Sequence, residues 1–331
     1  MPYQHFTYFE RCEIQLGLRR GLSYRAIARE MRRAASSVSR EVKRNRDPNG
    51  AYDALRAQYR YVMCQQQTGA PRKLEYAPLR EYVEEKLRLD WEPLCIATIL
   101  TLDFPEDERM RVSHETIYQF VYADKQNGGD LHTHLRRRHK QRWKRGGGKR
   151  GRGGIKNRIS IEERPAIVDT QERIGDWEGD TVIGLKHKRP LATFVERRTL
   201  YTTAAFMKTK SADDLNQAAL EAFAHLPDDL LHTLTADNGT EFAGHQELAK
   251  DLAIDIYFAH PNTPNERAIN ENTNGLIRQY LPKKTDFTKV TDHDLRRILQ
   301  KLNNRPRPKL GYRTPNQMLE LFTNPNDALQ I

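Results

Sequence analysis

Cysteine is nearly absent. The 331 residues hold three, Cys12, Cys64 and Cys95, far apart and with no CxxC pair. That spacing argues against both a disulfide framework and a thiolate-bound structural zinc. Long apolar runs are missing too: no stretch approaches the roughly 18 residues that would span a bilayer, so no transmembrane helix is expected. The opening MPYQHFTYFERCEIQ lacks a charged-then-apolar leader, and the expected location is cytoplasmic. Acidic residues vanish between positions 131 and 160, where twelve Lys and Arg stand without one Asp or Glu.

The length leaves room for two or three domains and at least one substantial core. The net charge is +11, unevenly spread: residues 1–160 carry +14 and residues 161–331 carry −3. Such asymmetry points to a polyanionic partner. Residues 126–165, with LHTHLRRRHKQRWKRGGGKRGRGGIKNRIS at their centre, read as a basic flexible linker. Its glycines and charges prevent a packed core. Arg136, Arg137, Arg138, Arg142, Lys144 and Arg145 are expected to follow a DNA backbone, with strong salt dependence. His132, His134 and His139 have no acidic or Cys neighbour in sequence and are not expected to hold a metal.

Residues 1–50 predict a helix-turn-helix domain. Thr7 and Glu10 form a capping box ahead of the first helix. The next helix, SYRAIAREM, offers Ile27, Ala28 and Met31 as its packing face. The third, ASSVSREVKRN, puts Val38 and Val42 on one face. Its other face carries Ser36, Ser37, Ser39, Arg40, Lys43 and Arg44, suited to the major groove and phosphates. Arg32 stands in the turn where glycine is common. Residues 74–125 form a second helical, helix-turn-helix-like region. There SHETIYQFVY either reads DNA or serves as a packing helix.

From residue 166 to 331 the pattern changes. GDTVIGL, LATFVERRT and YTTAAFMK predict three consecutive strands. A helix, a strand, a helix, a strand and two helices follow. This order predicts an α/β ribonuclease-H-like domain with a mixed five-stranded sheet, three antiparallel strands first and two added by crossover.

Within that order Asp180 begins the first strand, Asp237 ends the fourth, and Glu271 lies on the helix after the fifth. Strands one and four are neighbours in such a sheet, so the three carboxylates can converge. Clustered carboxylates repel unless a cation neutralises them, which suits hard divalent ions and phosphoryl transfer at a two-ion site. Asp180, Asp237 and Glu271 are therefore the expected catalytic and metal-binding residues. Asp176 and Glu178 share a strand face with Asp180, but Asp180 is preferred because the apolar TVIGL run follows it directly. Arg278 lies two helical turns past Glu271 and is expected to hold DNA phosphate. Asn270 and Asn274 flank the same face as expected contacts to bases or sugars.

The stretches IGDWEGDTVIG, LTADNGTEFAGH, NENTNGLIRQYLPKKTDF and LNNRPRPKLGYRTPNQ, with the N-terminal LSYRAIAREM…SSVSREVKRN and SHETIYQFVY, resemble the IS30 family of bacterial insertion-sequence transposases, within the DDE transposase and integrase superfamily. The resemblance covers nearly the whole chain. It implies Asp180, Asp237 and Glu271 as the catalytic triad, Mg²⁺ or Mn²⁺ as cofactor, and terminal inverted repeats and target DNA as partners at the nucleoid. It also implies excision through a circular intermediate. Family members carry an aromatic residue and a glycine shortly before the glutamate; here Asn265 and Ala268 occupy those places. Joining two DNA ends in one complex predicts a homodimer or larger assembly. The alternative is a catalytically inactive, sequence-specific DNA-binding regulator.

Overall fold

The computed structural model describes residues 5–47, 49–67, 73–136, 155–261 and 263–323. They fall into two compact units, Met1–Tyr76 and Ala77–Ile331. The first unit runs past the residue-50 boundary expected from sequence. The helices expected as a separate domain at 74–125 belong to the sheet-bearing unit.

The first unit contains α1 (Tyr8–Arg19), α2 (Tyr24–Glu30), α3 (Ala35–Asn45) and α4 (Ala54–Gln67). The Thr7–Glu10 capping box starts α1, and the Ser23 hydroxyl accepts the Ala26 amide at the start of α2. Ile14, Ile27, Ala28, Val38 and Val42 form the core with Tyr52, Ala54 and Ala57 from beyond α3. A buried ion pair, Arg11 Nε to Glu41 Oε1 at 2.8 Å, ties α1 to α3. Arg11 Nη1 also donates to the Phe6 carbonyl and to Gln58 Oε1, so the buried charge is compensated. In the turn between α2 and α3, Arg32 takes a left-handed φ of 51°.

The second unit opens with α5 (Ala77–Arg88), α6 (Pro93–Asp103) and α7 (His114–Gln126). The short α8 (Ile167–Thr170) precedes most of the sheet. Its strands are β1 (Ile159–Ser160), β2 (Asp176–Val182), β3 (Leu191–Glu196), β4 (Thr202–Phe206), β5 (Thr233–Ala236) and β6 (Asp255–Phe258), in the order β1-β6-β5-β2-β3-β4. β2, β3 and β4 pair antiparallel, while β5, β6 and β1 are added in parallel. This is the ribonuclease-H-like arrangement with one correction: among the described residues the sheet has six strands, not five. The extra strand is two residues long, too short to show alternation, and it forms only against the edge of β6.

The helices α9 (Ala212–Phe223), α10 (His245–Leu252), α11 (Ala268–Tyr280), α12 (Asp292–Asn303) and α13 (Pro315–Thr323) complete the unit. Trp177, Phe194, Leu234 and Phe258 meet Ala219, Phe223 and Leu248 in one core. Val182, Leu191 and Ala204 meet Leu276, Ile277, Leu295 and Leu302 in another. The sheet thus has a core on each side, which explains why β2 and β3 lack a simple polar–apolar alternation.

Asp90 joins the α5–α7 helices to the sheet helices. It is buried, with a left-handed φ of 63°. It accepts from Lys301 Nζ at 2.8 Å and the Tyr280 hydroxyl at 3.0 Å, and it pairs with His134 Nδ1 at 2.7 Å. Burial alone would raise its pKa, but His134 and Lys301 hold the carboxyl below the usual range. The acidic partner of His134 is thus supplied from 44 residues away.

Candidate active site

β2 and β5 run parallel, with Glu178 opposite Thr235. Carrying that register two residues further sets Asp180 opposite Asp237. Asp180 lies inside β2, not at its start as expected, because the strand begins at Asp176. Asp237 directly follows the last residue of β5. Both side chains are about a quarter exposed, at 26% each. Asp180 Oδ1 accepts the Thr181 amide at 2.8 Å, and Oδ2 accepts the Asn274 amide at 2.9 Å. Asp237 Oδ1 accepts the Gly239 amide at 2.8 Å. Desolvation, with a smaller contribution from neighbouring Asp237, raises the Asp180 pKa, and Arg267 opposes the shift.

The rivals for Asp180 are committed elsewhere. Asp176 is buried between Arg173, at 2.8 and 2.9 Å, and the Thr233 hydroxyl. Glu178 is buried against Arg197 Nη1 at 2.5 Å, and its other oxygen accepts the Asn270 backbone amide. Only Asp180 of the three faces Asp237 across a shared cation.

Glu271 occupies the first turn of α11 and is exposed. Among the described residues no three His, Cys, Asp or Glu side chains are grouped closely enough to hold a metal. The structure therefore brings Asp180 and Asp237 together and leaves Glu271 outside the pair.

The flanking residues differ from their expected places. Asn270 is 1% exposed, and its amide donates to the Glu178 carbonyl at 2.8 Å. It is a buried brace between α11 and β2, not a surface for bases or sugars. Periodicity placed it beside Glu271 but could not show that it faces the sheet. Asn274 bridges the Thr193 hydroxyl and Asp180. Arg278 donates to the Ile183 carbonyl at 2.7 Å and the Leu281 carbonyl at 3.4 Å, and burial lowers its pKa. Its guanidinium is half-buried and engaged by backbone carbonyls.

Two site residues escaped the sequence reading. Arg267 Nη1 lies 3.8 Å from Asp180 Oδ2, and its Nη2 lies 3.6 Å from Asp237 Oδ2. Nothing in the sequence ties position 267 to 180. Glu241, inside the TADNGTEF stretch, is 2% exposed. Its Oε1 accepts from Thr181 at 2.8 Å and Lys210 at 2.9 Å, and Oε2 has no partner among the described residues. Gly239 sits between these carboxylates. A Cβ there would lie 2.7 Å from Asp237 Oδ1 and 2.5 Å from Glu241 Oε2. The glycine of the DNG stretch is required by that close approach.

In the first unit Ser36, Arg40, Lys43 and Arg44 are exposed along α3, while Ser37 and Ser39 are half-buried. Arg136, also exposed, donates to the Asn272 side chain at 2.8 Å on α11. Arg137, Arg138, Arg142, Lys144 and Arg145 lie outside the described residues.

A model of the helix-turn-helix domain matches residues 2–45. The transposase of insertion sequence element IS4351 from Bacteroides fragilis is 41% identical over 98% of this chain and 98% of its own length. The transposase InsI of IS30A from Escherichia coli K12 is 39% identical over 96% of this chain and 83% of its own. That of IS1086 from Cupriavidus metallidurans is 34% identical over 99% of this chain and 98% of its own. Among solved structures, the catalytic core domain of BIV integrase is 20% identical with a TM-score of 0.36, covering 46% of this chain and 99% of that one. With a helix-turn-helix domain followed by paired aspartates on a mixed sheet, and with relatives this similar over almost its full length, the chain belongs to the IS30 family of insertion-sequence transposases.

Proposed function

We propose that this chain is a DDE-type transposase that binds the terminal inverted repeats of an insertion sequence and catalyses DNA strand cleavage and strand transfer. The observation that carries the reading is the pair Asp180 and Asp237 on adjacent parallel strands, both directed at one cationic group. Two carboxylates that converge on a cation, beside a glycine whose Cβ would crowd them, suit a divalent ion such as Mg²⁺ or Mn²⁺. Asp180 and Asp237 would hold it, with Glu271 joining from α11. When bound, the ions activate the attacking oxygen and stabilise the leaving one.

The protein's own residues act by placement. The Thr181 amide and Asn274 fix the Asp180 carboxylate, and the Gly239 amide fixes that of Asp237. Water attacks the phosphodiester at the element's end, the P–O3′ bond breaks, and a 3′ hydroxyl is freed. That hydroxyl attacks a target phosphodiester, exchanging one P–O bond for another without an external energy source. No covalent protein–DNA link is required. The exposed face of α3 reads the repeats, and the basic segment ahead of the sheet tracks the backbone. Two ends processed together call for a dimer or larger assembly on DNA.

The test is a cleavage assay on element-end DNA, paired with a gel-shift of the same DNA. Asp237→Ala is expected to abolish cleavage while leaving end binding nearly unchanged. Cleavage surviving in that variant would sink the assignment. End binding without cleavage by the wild type, in Mg²⁺ and in Mn²⁺, would favour the regulator reading.

A further inference from the structure

We propose that Arg267 is an internal counterion of the catalytic carboxylates, one that holds Asp180 and Asp237 together and competes with the divalent ion for both. The inference rests on the metal-site reading above. Arg267 sends a different nitrogen to each aspartate, at 3.8 and 3.6 Å, and in both cases the partner atom is Oδ2. A third contact, from Nη1 to the Gly179 carbonyl at 3.3 Å, anchors the guanidinium over β2. The side chain is only 18% exposed, so solvent screens its charge incompletely.

Placement explains why the arginine is there. Asp180 and Asp237 are like charges on adjacent strands, with the buried Glu241 close by. Left alone, each disfavours ionisation of the other. A guanidinium between them relieves that repulsion and keeps both oxygens turned inward. Arg267 is the last residue before α11 (Ala268–Tyr280), the helix that carries Glu271. Movement of the guanidinium away from the aspartates is therefore coupled to the segment that leads into the third carboxylate. Once displaced, a guanidinium at this position is suited to a DNA phosphate, which it binds through paired N–H donors.

The competition gives the site opposite responses to one substitution. Removing the charge takes the competing cation from both Oδ2 atoms, that of Asp180 keeping its bond from Asn274, but removes a phosphate ligand. A purely structural arginine would weaken both functions together.

The test uses the full chain without DNA, titrated with Mn²⁺ and followed by electron paramagnetic resonance of the free ion. R267Q is expected to bind Mn²⁺ about tenfold more tightly than the wild type, the scale of removing a charge that is partly screened. R267K should fall between them. The gain should vanish in R267Q/D237N, and R267Q should cleave end DNA more slowly despite binding Mn²⁺ better. Equal or weaker Mn²⁺ binding in R267Q, with wild-type binding lost in D237N, overturns the counterion and leaves the metal site standing. Absence of Mn²⁺ binding in every variant overturns the metal reading and the inference with it. Thermal unfolding of R267Q and R267K identifies any variant that has lost its fold.

Discussion

Single residues in β2 show how one strand face serves both structure and chemistry. Asp176, Glu178 and Asp180 alternate toward the same side, yet only the last keeps a quarter of its surface exposed. Glu178 is the buried end of an ion pair with Arg197, whose side chain is 8% exposed. Desolvation raises the Glu178 pKa, and Arg197 opposes the shift. Breaking such a pair strands a buried charge. Arg197→Ala is expected to destabilise the fold by about 3–5 kcal/mol, read from urea denaturation. A loss below about 1 kcal/mol would show that the pair is not the brace of this strand. Gly239→Ala tests the neighbouring strand end. Its Cβ would fall within 2.7 Å of two carboxylate oxygens, so Mn²⁺ binding should weaken while the far-ultraviolet circular dichroism stays unchanged.

At the scale of elements, α3 and the segment before α11 make separate predictions. Arg40, Lys43 and Arg44 are exposed on α3. Replacing any one that touches phosphate should weaken end binding and lower the slope of log K against log salt by about one. Unchanged slopes in all three variants would remove α3 from the DNA surface. Ahead of α11, His260 Nδ1 pairs with Glu266 Oε1 at 2.8 Å, and the His260 amide donates to Glu266 Oε2 at 2.7 Å. The bond to Glu266, aided by Glu162, raises the His260 pKa above its ordinary 6.5. Burial alone would raise Glu266, but its bonds with His260 hold it below the usual carboxylate range. A raised histidine stabilises fully below its unfolded pKa and loses that contribution as pH rises through its folded value. A depressed glutamate stabilises above its unfolded pKa and loses that contribution as pH falls through its folded value. The clasp's contribution is therefore fully present between roughly pH 5 and 6.5 and declines as pH rises from there through the raised His260 pKa. An NMR titration should find the His260 midpoint above 6.5, and Glu266→Gln should lower it. An unmoved midpoint in that variant refutes the clasp.

For the molecule as a whole, the larger unit depends on Asp90. One buried carboxylate joins a residue beside α5 to His134, Tyr280 and Lys301. Asp90→Asn keeps a residue tolerant of left-handed backbone while removing the charge. The cost is expected to be about 2 kcal/mol, discounted because Lys301 is more than a third exposed. Asp90→Ala should cost more, since it also loses the hydrogen bonds. Differential scanning calorimetry reads the difference, and equal melting temperatures for all three proteins would show that the latch is idle.

Much of this was legible in the chain. The helix start at Thr7 was visible because caps are local chemistry. The strand-helix order of residues 174–304 was visible because burial imposes a period. Asp180 and Asp237 stood out because an apolar run follows the first directly and another leads into the second. The two-residue strand Ile159–Ser160, the inward aim of Asn270 and the backbone capture of Arg278 were not legible. Each depends on a partner far away in sequence, and periodicity carries no information about which partner a face will meet. Arg267 shows the division most clearly. By sequence it is one more cation in a basic chain, 87 residues from Asp180 and 30 from Asp237. Only the parallel pairing of β2 with β5, and the packing of α11 against β2 and β3, put a single guanidinium between the two carboxylates, because electrostatic pairing acts over a few ångströms of space and takes no account of distance along the chain.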